Sequence, residues 1–254
     1  MDTDRLLEIT EYWSFWDDQV PPTIPRDVVL PPRLRDSLAL VIQGVRRCGK
    51  STLLAQMMKR YRLNPRHCAF LNFEDPRLGR QLDHSLLDAW VAAFRKTHPR
   101  LKKAYFFLDE VQGVTGWEQW LRTQLERPKA NHFVVTGSNA RLLSGELSGV
   151  LTGRHLTLEL FPFNLGEFRQ VHPKCTLEDY LLAGGFPEPL LIDPGDRLRQ
   201  QYFSDIIERD IRERVGARSA VAIKQIVQMA FESAGAELSL RRLAGAAGVA
   251  VDTA

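Results

Sequence analysis

Eight consecutive residues, Gly44-Val45-Arg46-Arg47-Cys48-Gly49-Lys50-Ser51, carry the spacing G-x-x-x-x-G-K-S, and the chemistry open to such a run is the cradling of phosphate. The glycines let the backbone curl until successive N–H groups point at phosphate oxygens, and a helix beginning at the end of the loop adds its dipole to the same spot. Lys50 is placed to neutralise the β and γ phosphates of ATP, and the Ser51 hydroxyl to bind Mg²⁺. Thr52 faces either the α-phosphate or the packing of the helix. Arg46 and Arg47 lie inside the loop, where they meet phosphate, an acidic neighbour or solvent. Cys48 reads as a small loop residue without a reactive thiol.

A second chemical signal is the apolar run Tyr105-Phe106-Phe107-Leu108 ending in Asp109-Glu110. Such a run is expected of a buried strand whose C-terminal end opens into a ligand crevice. Asp109 is then the residue that holds the Mg²⁺ shell, and Glu110 the base that orients and deprotonates the water attacking the γ-phosphate. A glutamate directly after the metal-linked aspartate also marks the branch of these proteins in which an extra strand separates the two strands, and disfavours a nucleotide kinase. His132-Phe133-Val134-Val135-Thr136 runs into Gly137-Ser138-Asn139 in the same way. Asn139 either probes the γ-phosphate or caps the next helix. Arg154, just before the last apolar run, is either an arginine finger for a neighbouring subunit's ATP or a member of a local ion pair.

These residues need strands to hold them. Short apolar runs at Leu38–Gln43, Cys68–Phe73, Ala104–Leu108, His132–Thr136 and His155–Leu160 alternate with helical patterns at Ser51–Tyr61, Leu86–Phe94 and Trp117–Leu125. That alternation predicts a parallel sheet covered by helices on both faces. Upstream, Leu6, Ile9, Trp13, Trp16 and Val20 recur at helical steps, and a proline-rich stretch then leads into the main domain. Downstream of Phe163 the pattern is helical: Thr176–Ala183, Arg197–Arg214, Val221–Ala234 and Leu238–Ala246. The expected organisation is an N-terminal aromatic helix and linker at 1–35, a nucleotide-binding domain at 36–165 and a helical domain at 166–254. Trp117 and Trp120 sit at helical spacing and are read as core rather than as a base-stacking platform.

Composition bounds the partners. The chain of 254 residues is 44% hydrophobic and 26% charged, which excludes general disorder and a fibrous repeat. Its net charge of +3 is too weak to argue for nucleic acid, since phosphate affinity depends on clustered charge. Three widely spaced cysteines offer neither a disulfide framework nor a zinc site. Without a signal sequence or a bilayer-length apolar run, no membrane partner is expected, and the expected compartment is the cytoplasm.

The motifs Gln43–Thr52, Phe70–Leu78, Phe107–Gln112, Thr136–Asn139 and Leu151–Arg154 together resemble the ordered set of a prokaryotic AAA-type ATPase family. Gly184–Pro189 and Ile206–Ile211 resemble that family's C-terminal region, so the likeness extends over nearly the whole chain. It implies a three-layer P-loop NTPase fold of the α/β class with a parallel five-stranded core sheet, followed by a smaller all-helical domain. It further implies Asn139 or Ser138 as sensor, Arg154 as finger candidate, and Glu74 and Asp75 near the nucleotide edge. For Glu74 and Asp75, a loop cap or a pair with Arg77 is the alternative. Arg209 is implied as a lid arginine, with a helix-surface pair as its alternative. Family members usually continue into a winged helix and a nuclease-like region; here Ser239–Ala244, Gly248-Val249 and Asp252-Thr253 resemble an incomplete helix-turn-helix. The expected function is Mg²⁺-dependent ATP hydrolysis that moves the helical domain. The alternative is a nucleotide-gated module that binds DNA or protein through that domain with slow or no turnover.

Overall fold

A computed structural model describes residues 2–14, 23–79, 81–127, 130–138, 149–212 and 219–248. Five strands, β1 (Ala39–Gln43), β2 (Cys68–Asn72), β4 (Ala104–Asp109), β6 (Asn131–Gly137) and β7 (His155–Glu159), form one sheet in the order β2-β4-β6-β1-β7. Every pairing in it is parallel. Two short strands, β3 (Leu82–Asp83) and β5 (Val114–Thr115), pair separately. The strand β6 lies between β1 and β4, as the paired acids after β4 led us to expect.

The side-chain period of a strand explains the layers. Ala39, Val41, Ala69, Leu71, Phe106, Leu108, Phe133 and Val135 point to one face, where α1 (Thr3–Trp13), α3 (His84–Thr97) and α4 (Trp117–Glu126) bury Leu6, Ile9, Leu87, Trp90, Trp117 and Trp120. Leu40, Ile42, Phe70, Phe107 and Val134 point to the other, against Leu53, Leu54 and Met57 of α2 (Lys50–Arg60). Trp117 and Trp120 are therefore core. Strands covered on both sides cannot alternate polar and apolar residues, which is why β1, β2, β4 and β6 read as nearly continuous apolar runs, whereas the partly exposed β7 alternates.

The helix α1 docks through its stripe and through two indole bonds. Trp90 Nε1 donates to Thr10 Oγ1 at 2.9 Å, and Trp13 Nε1 donates to Asp75 Oδ2 at 2.7 Å. Trp16 and Val20, expected to extend the stripe, lie outside the described residues.

Compactness divides the chain after Ile192, with the helices Leu165–Val171 and Leu177–Ala183 in the first unit. The first of these helices has seven residues. Its start is written locally, because Asn164 and Glu167 cap each other reciprocally. Residues 193–254 form the second unit, with helices at Gly195–Asp205, Ala220–Glu232 and Leu240–Ala247 and a π-helical segment at Ile206–Arg212. Ser219 and Ser239 cap the last two helices. Residues beyond Gly248, where a recognition helix was expected, lie outside the described residues. No described helix is long and apolar enough to cross a membrane.

Candidate phosphate and metal site

All five strands are parallel, so their C-terminal ends share one edge, and the register decides which residues meet there. Asn72 pairs with Asp109, and Ile42 and Gln43 pair with Thr136 and Gly137. The loop 44–49 leaves β1 at this edge and turns into α2. A Cβ on Gly44 would lie 2.3 Å from the Leu160 carbonyl oxygen and 2.8 Å from Cys48 Sγ, so only glycine permits the approach. Gly49 opens α2 at φ 98, a left-handed conformation that favours glycine.

Within this curl, Lys50 is buried, with its ammonium donating to the carbonyls of Gly44 at 3.1 Å and Val45 at 3.4 Å. It also pairs with Glu110 Oε1 at 3.2 Å. Ser51 Oγ donates to Asp109 Oδ2 at 2.9 Å, and Asn72 Nδ2 reaches the same oxygen at 3.4 Å. Thr136 Oγ1 donates to Asp109 Oδ1 at 2.5 Å and accepts from the Glu110 N–H at 3.1 Å. Lys50, Ser51, Asp109 and Glu110 are therefore brought together.

Burial pushes the Asp109 carboxyl up to about 6; the Thr136 hydroxyl opposes the rise, the Glu110 charge adds to it, and Ser51 and Lys50 oppose it. A carboxylate so reluctant to ionise alone is well suited to a divalent cation, whose charge reverses that balance. The Ser51 hydroxyl and Asp109 carboxylate are hard oxygen donors, which fits Mg²⁺.

A cavity of about 520 Å³ opens over these groups. Its walls include Arg46, Arg47, Gly49, Thr52, Asn72 and Glu74, and its far side is made by Pro187, Glu188, Leu191 and Ile192. Both loop arginines meet acids: Arg46 pairs with Glu74, and Arg47 with Glu188 at 3.6 Å. Asp75 turns away and pairs with Arg77 at 2.5 Å, which holds its carboxyl down at about 2. Val45 is half-buried, and Cys48 is fully buried with its thiol pushed up by burial, against the pull of Lys50 and Arg26.

Arg154 is not at this edge. It precedes β7, and its main-chain oxygen accepts from Ala39 N–H at the start of β1, the opposite end of the sheet from the loop. Its guanidinium lies 3.4 Å from the Leu125 carbonyl. Asn139 and the Arg209 side chain lie outside the described residues, and Ser138 is buried with no hydrogen-bond partner for its hydroxyl among the described residues.

Two residues at the site carried no readable role in sequence. Thr136 and Asn72 could be found only through cross-strand register. Arg26, in the segment before β1, donates from Nη1 to the Cys48 carbonyl at 2.7 Å and from Nη2 to the Phe161 carbonyl at 2.6 Å. Its Nε pairs with Glu167, so one side chain pins the phosphate loop to the first helix after the sheet.

A parallel sheet in this order, with a phosphate loop after β1 and an acidic pair after the strand one place beyond β6, defines a P-loop NTPase of AAA type. Residues 36–169 match the AAA domain family, and residues 175–254 match a domain of unknown function. The chain belongs to the AAA domain family and is nucleotide-binding and ATPase-like in kind.

It is 31% identical over 208 residues to an uncharacterized protein of Haemophilus influenzae, covering 77% of this chain and 51% of that protein. It is 30% identical over 240 residues to an uncharacterized protein of Methanocaldococcus jannaschii, covering 87% and 52%. The chain thus spans about half the length of the curated relatives it matches. Among solved structures, a DNA polymerase III gamma subunit-related protein of Thermotoga maritima aligns over 71% of this chain and 60% of its own, at 12% identity and a TM-score of 0.43.

Proposed function

We propose that the chain binds ATP with Mg²⁺ in the cavity over Lys50 and hydrolyses it. The observation that carries this reading is the convergence of Ser51 Oγ on Asp109 Oδ2 at 2.9 Å beside Lys50 Nζ and Glu110 Oε1 at 3.2 Å. The main-chain amides of the loop 44–51 cradle the phosphates, and Lys50 neutralises the β and γ oxygens. Thr52 lines the cavity beside Ser51. Ser51 and Asp109 would hold the metal, which supplies positive charge to the phosphate oxygens as the reaction proceeds. Glu110 orients the attacking water and takes its proton. A finger role for Arg154 requires a second copy, because this residue lies at the far end of its own sheet.

Nucleotide state is passed to the helical unit through the segment 187–192, of which Pro187, Glu188, Leu191 and Ile192 wall the cavity and which immediately precedes that unit in the chain. A DNA or protein partner is assigned to the same unit as what the motion acts on.

The test is titration with fluorescent ATP and Mg²⁺ together with phosphate-release assays. Lys50→Ala is expected to abolish binding. Glu110→Gln is expected to keep binding while phosphate release falls by about 10²–10⁴-fold, the usual worth of a general base. Unchanged phosphate release in Glu110→Gln defeats hydrolysis at this site. Persistence of the biological output in a turnover-dead Glu110→Gln protein points instead to nucleotide-gated binding.

A further inference from the structure

We infer that Gln112 is the positioning residue for Glu110: it anchors carboxylate oxygen Oε2, leaving Oε1 as the oxygen that takes the proton from the attacking water. The inference rests on the hydrolytic reading above. Glu110 is the first residue past β4 and sits in the left-handed region at φ 55, ψ 43, a conformation that non-glycine residues rarely adopt. The Thr136 hydroxyl holds its N–H, and the tight turn Val111–Gly113 brings the side chain two residues on back to the carboxylate.

The two oxygens of Glu110 have different partners. Oε2 accepts from Gln112 Nε2 at 2.7 Å, while Oε1 faces Lys50 Nζ at 3.2 Å. Only the second partner is exchangeable. Among the described residues Lys50 otherwise hydrogen-bonds just the loop carbonyls of Gly44 and Val45, and phosphates entering the loop compete for its ammonium. Gln112 faces no such competitor, so nucleotide binding frees Oε1 and leaves Oε2 tied. The water oxygen then bonds to the γ-phosphorus, and the bond to the bridging oxygen breaks with its electron pair leaving on ADP. One water proton passes to Glu110 Oε1 and the other stays on the released phosphate.

The amide is committed to this orientation. Gln112 Oε1 is buried and has no hydrogen-bond partner among the described residues. Turning the amide over would set that oxygen against the carboxylate, two acceptors face to face. A residue selected for packing alone would not retain an unsatisfied buried acceptor, whose lost hydration goes uncompensated.

The test compares the full chain with Gln112→Met, similar in length but unable to donate, and Gln112→Asn, which keeps the amide but falls one methylene short. Steady-state ATP turnover with Mg²⁺ gives kcat and KM, fluorescent ATP gives Kd, and thermal unfolding gives Tm. Both variants are expected to lose about 10–100-fold in kcat, the usual cost of losing a group that orients a catalytic one, with KM and Kd within about twofold. A kcat within twofold of the parent in either variant overturns the inference. So does a parallel loss of affinity and Tm, the mark of a plain structural contact. If the parent chain shows no turnover, or Glu110→Gln keeps it, the hydrolytic reading fails first.

Discussion

Arg26 Nε and Glu167 Oε1, 141 positions apart in the chain, meet at 2.8 Å with side chains only 3% and 2% exposed. Further contacts surround the pair. Phe163 packs its ring 5.1 Å from the guanidinium carbon, and Glu167 also accepts from the main-chain N–H groups of Asp27 at 2.7 Å and Asn164 at 2.9 Å. Such a pair contributes little against an apolar replacement of both partners, but removing one leaves a buried charge. Arg26→Ala or Glu167→Ala is expected to cost about 3–5 kcal/mol in urea unfolding. Arg26→Ala should also weaken ATP binding, since the Cys48 carbonyl loses its tether. Unfolding free energies within about 0.5 kcal/mol of the parent would refute the assignment.

Gly44→Ala tests the closeness of the loop to the strand exit. The added Cβ meets a backbone oxygen at 2.3 Å rather than the end of a flexible side chain, so the loop has to shift. Loss of ATP binding with a stability loss of about 1–3 kcal/mol is expected. Retention of parental affinity in the titration would show that the loop accommodates the methyl.

Thr136→Val keeps the shape of a fully buried side chain while removing the hydroxyl that joins Asp109 Oδ1 to the Glu110 N–H. A drop of about 10–100-fold in ATP turnover or Mg²⁺ affinity is expected. The same turnover at every Mg²⁺ concentration as in the parent would remove Thr136 from the site.

His132 is buried against Tyr105, the rings stacked at 4.7 Å, and burial lowers its pKa below 6.5. The unfolded chain therefore binds the proton more readily than the folded one. His132 contributes stability that is present above pH 6.5 and is lost as pH falls through the lowered folded-state value. His132→Phe should flatten that acid-side slope in urea unfolding between about pH 7 and 5. An unchanged slope would place the responsible group elsewhere.

If Arg154 serves a second copy, specific ATPase activity rises with protein concentration, and Arg154→Ala lowers the plateau about 10³-fold or more while leaving ATP affinity nearly unchanged. Activity per chain that is flat across the concentration range, or a fully active Arg154→Ala protein, removes the finger.

Much of the fold was legible because its signals are local. The strands buried on both faces had to be continuous apolar runs, and the five expected ones fall within a residue or two of β1, β2, β4, β6 and β7. The loop 44–51 and the acids 109–110 could be recognised because each chemistry needs neighbouring residues at fixed spacing. The helix Leu165–Val171 was not read in advance, and the Asn139 and recognition-helix expectations fall on residues outside those described.

By itself the sequence determined that a phosphate cradle and a carboxylate pair exist and that parallel strands would carry them, since both follow from residue types close together in the chain. The tertiary structure decided which side chains complete them: Thr136 and Asn72 through the register of β6 and β2 beside β4, Arg26 and Glu167 across 141 positions, and Glu188 opposite Arg47. Those partners are chosen by strand pairing and by the need to satisfy buried charge, which act between distant segments and leave no periodicity in the chain.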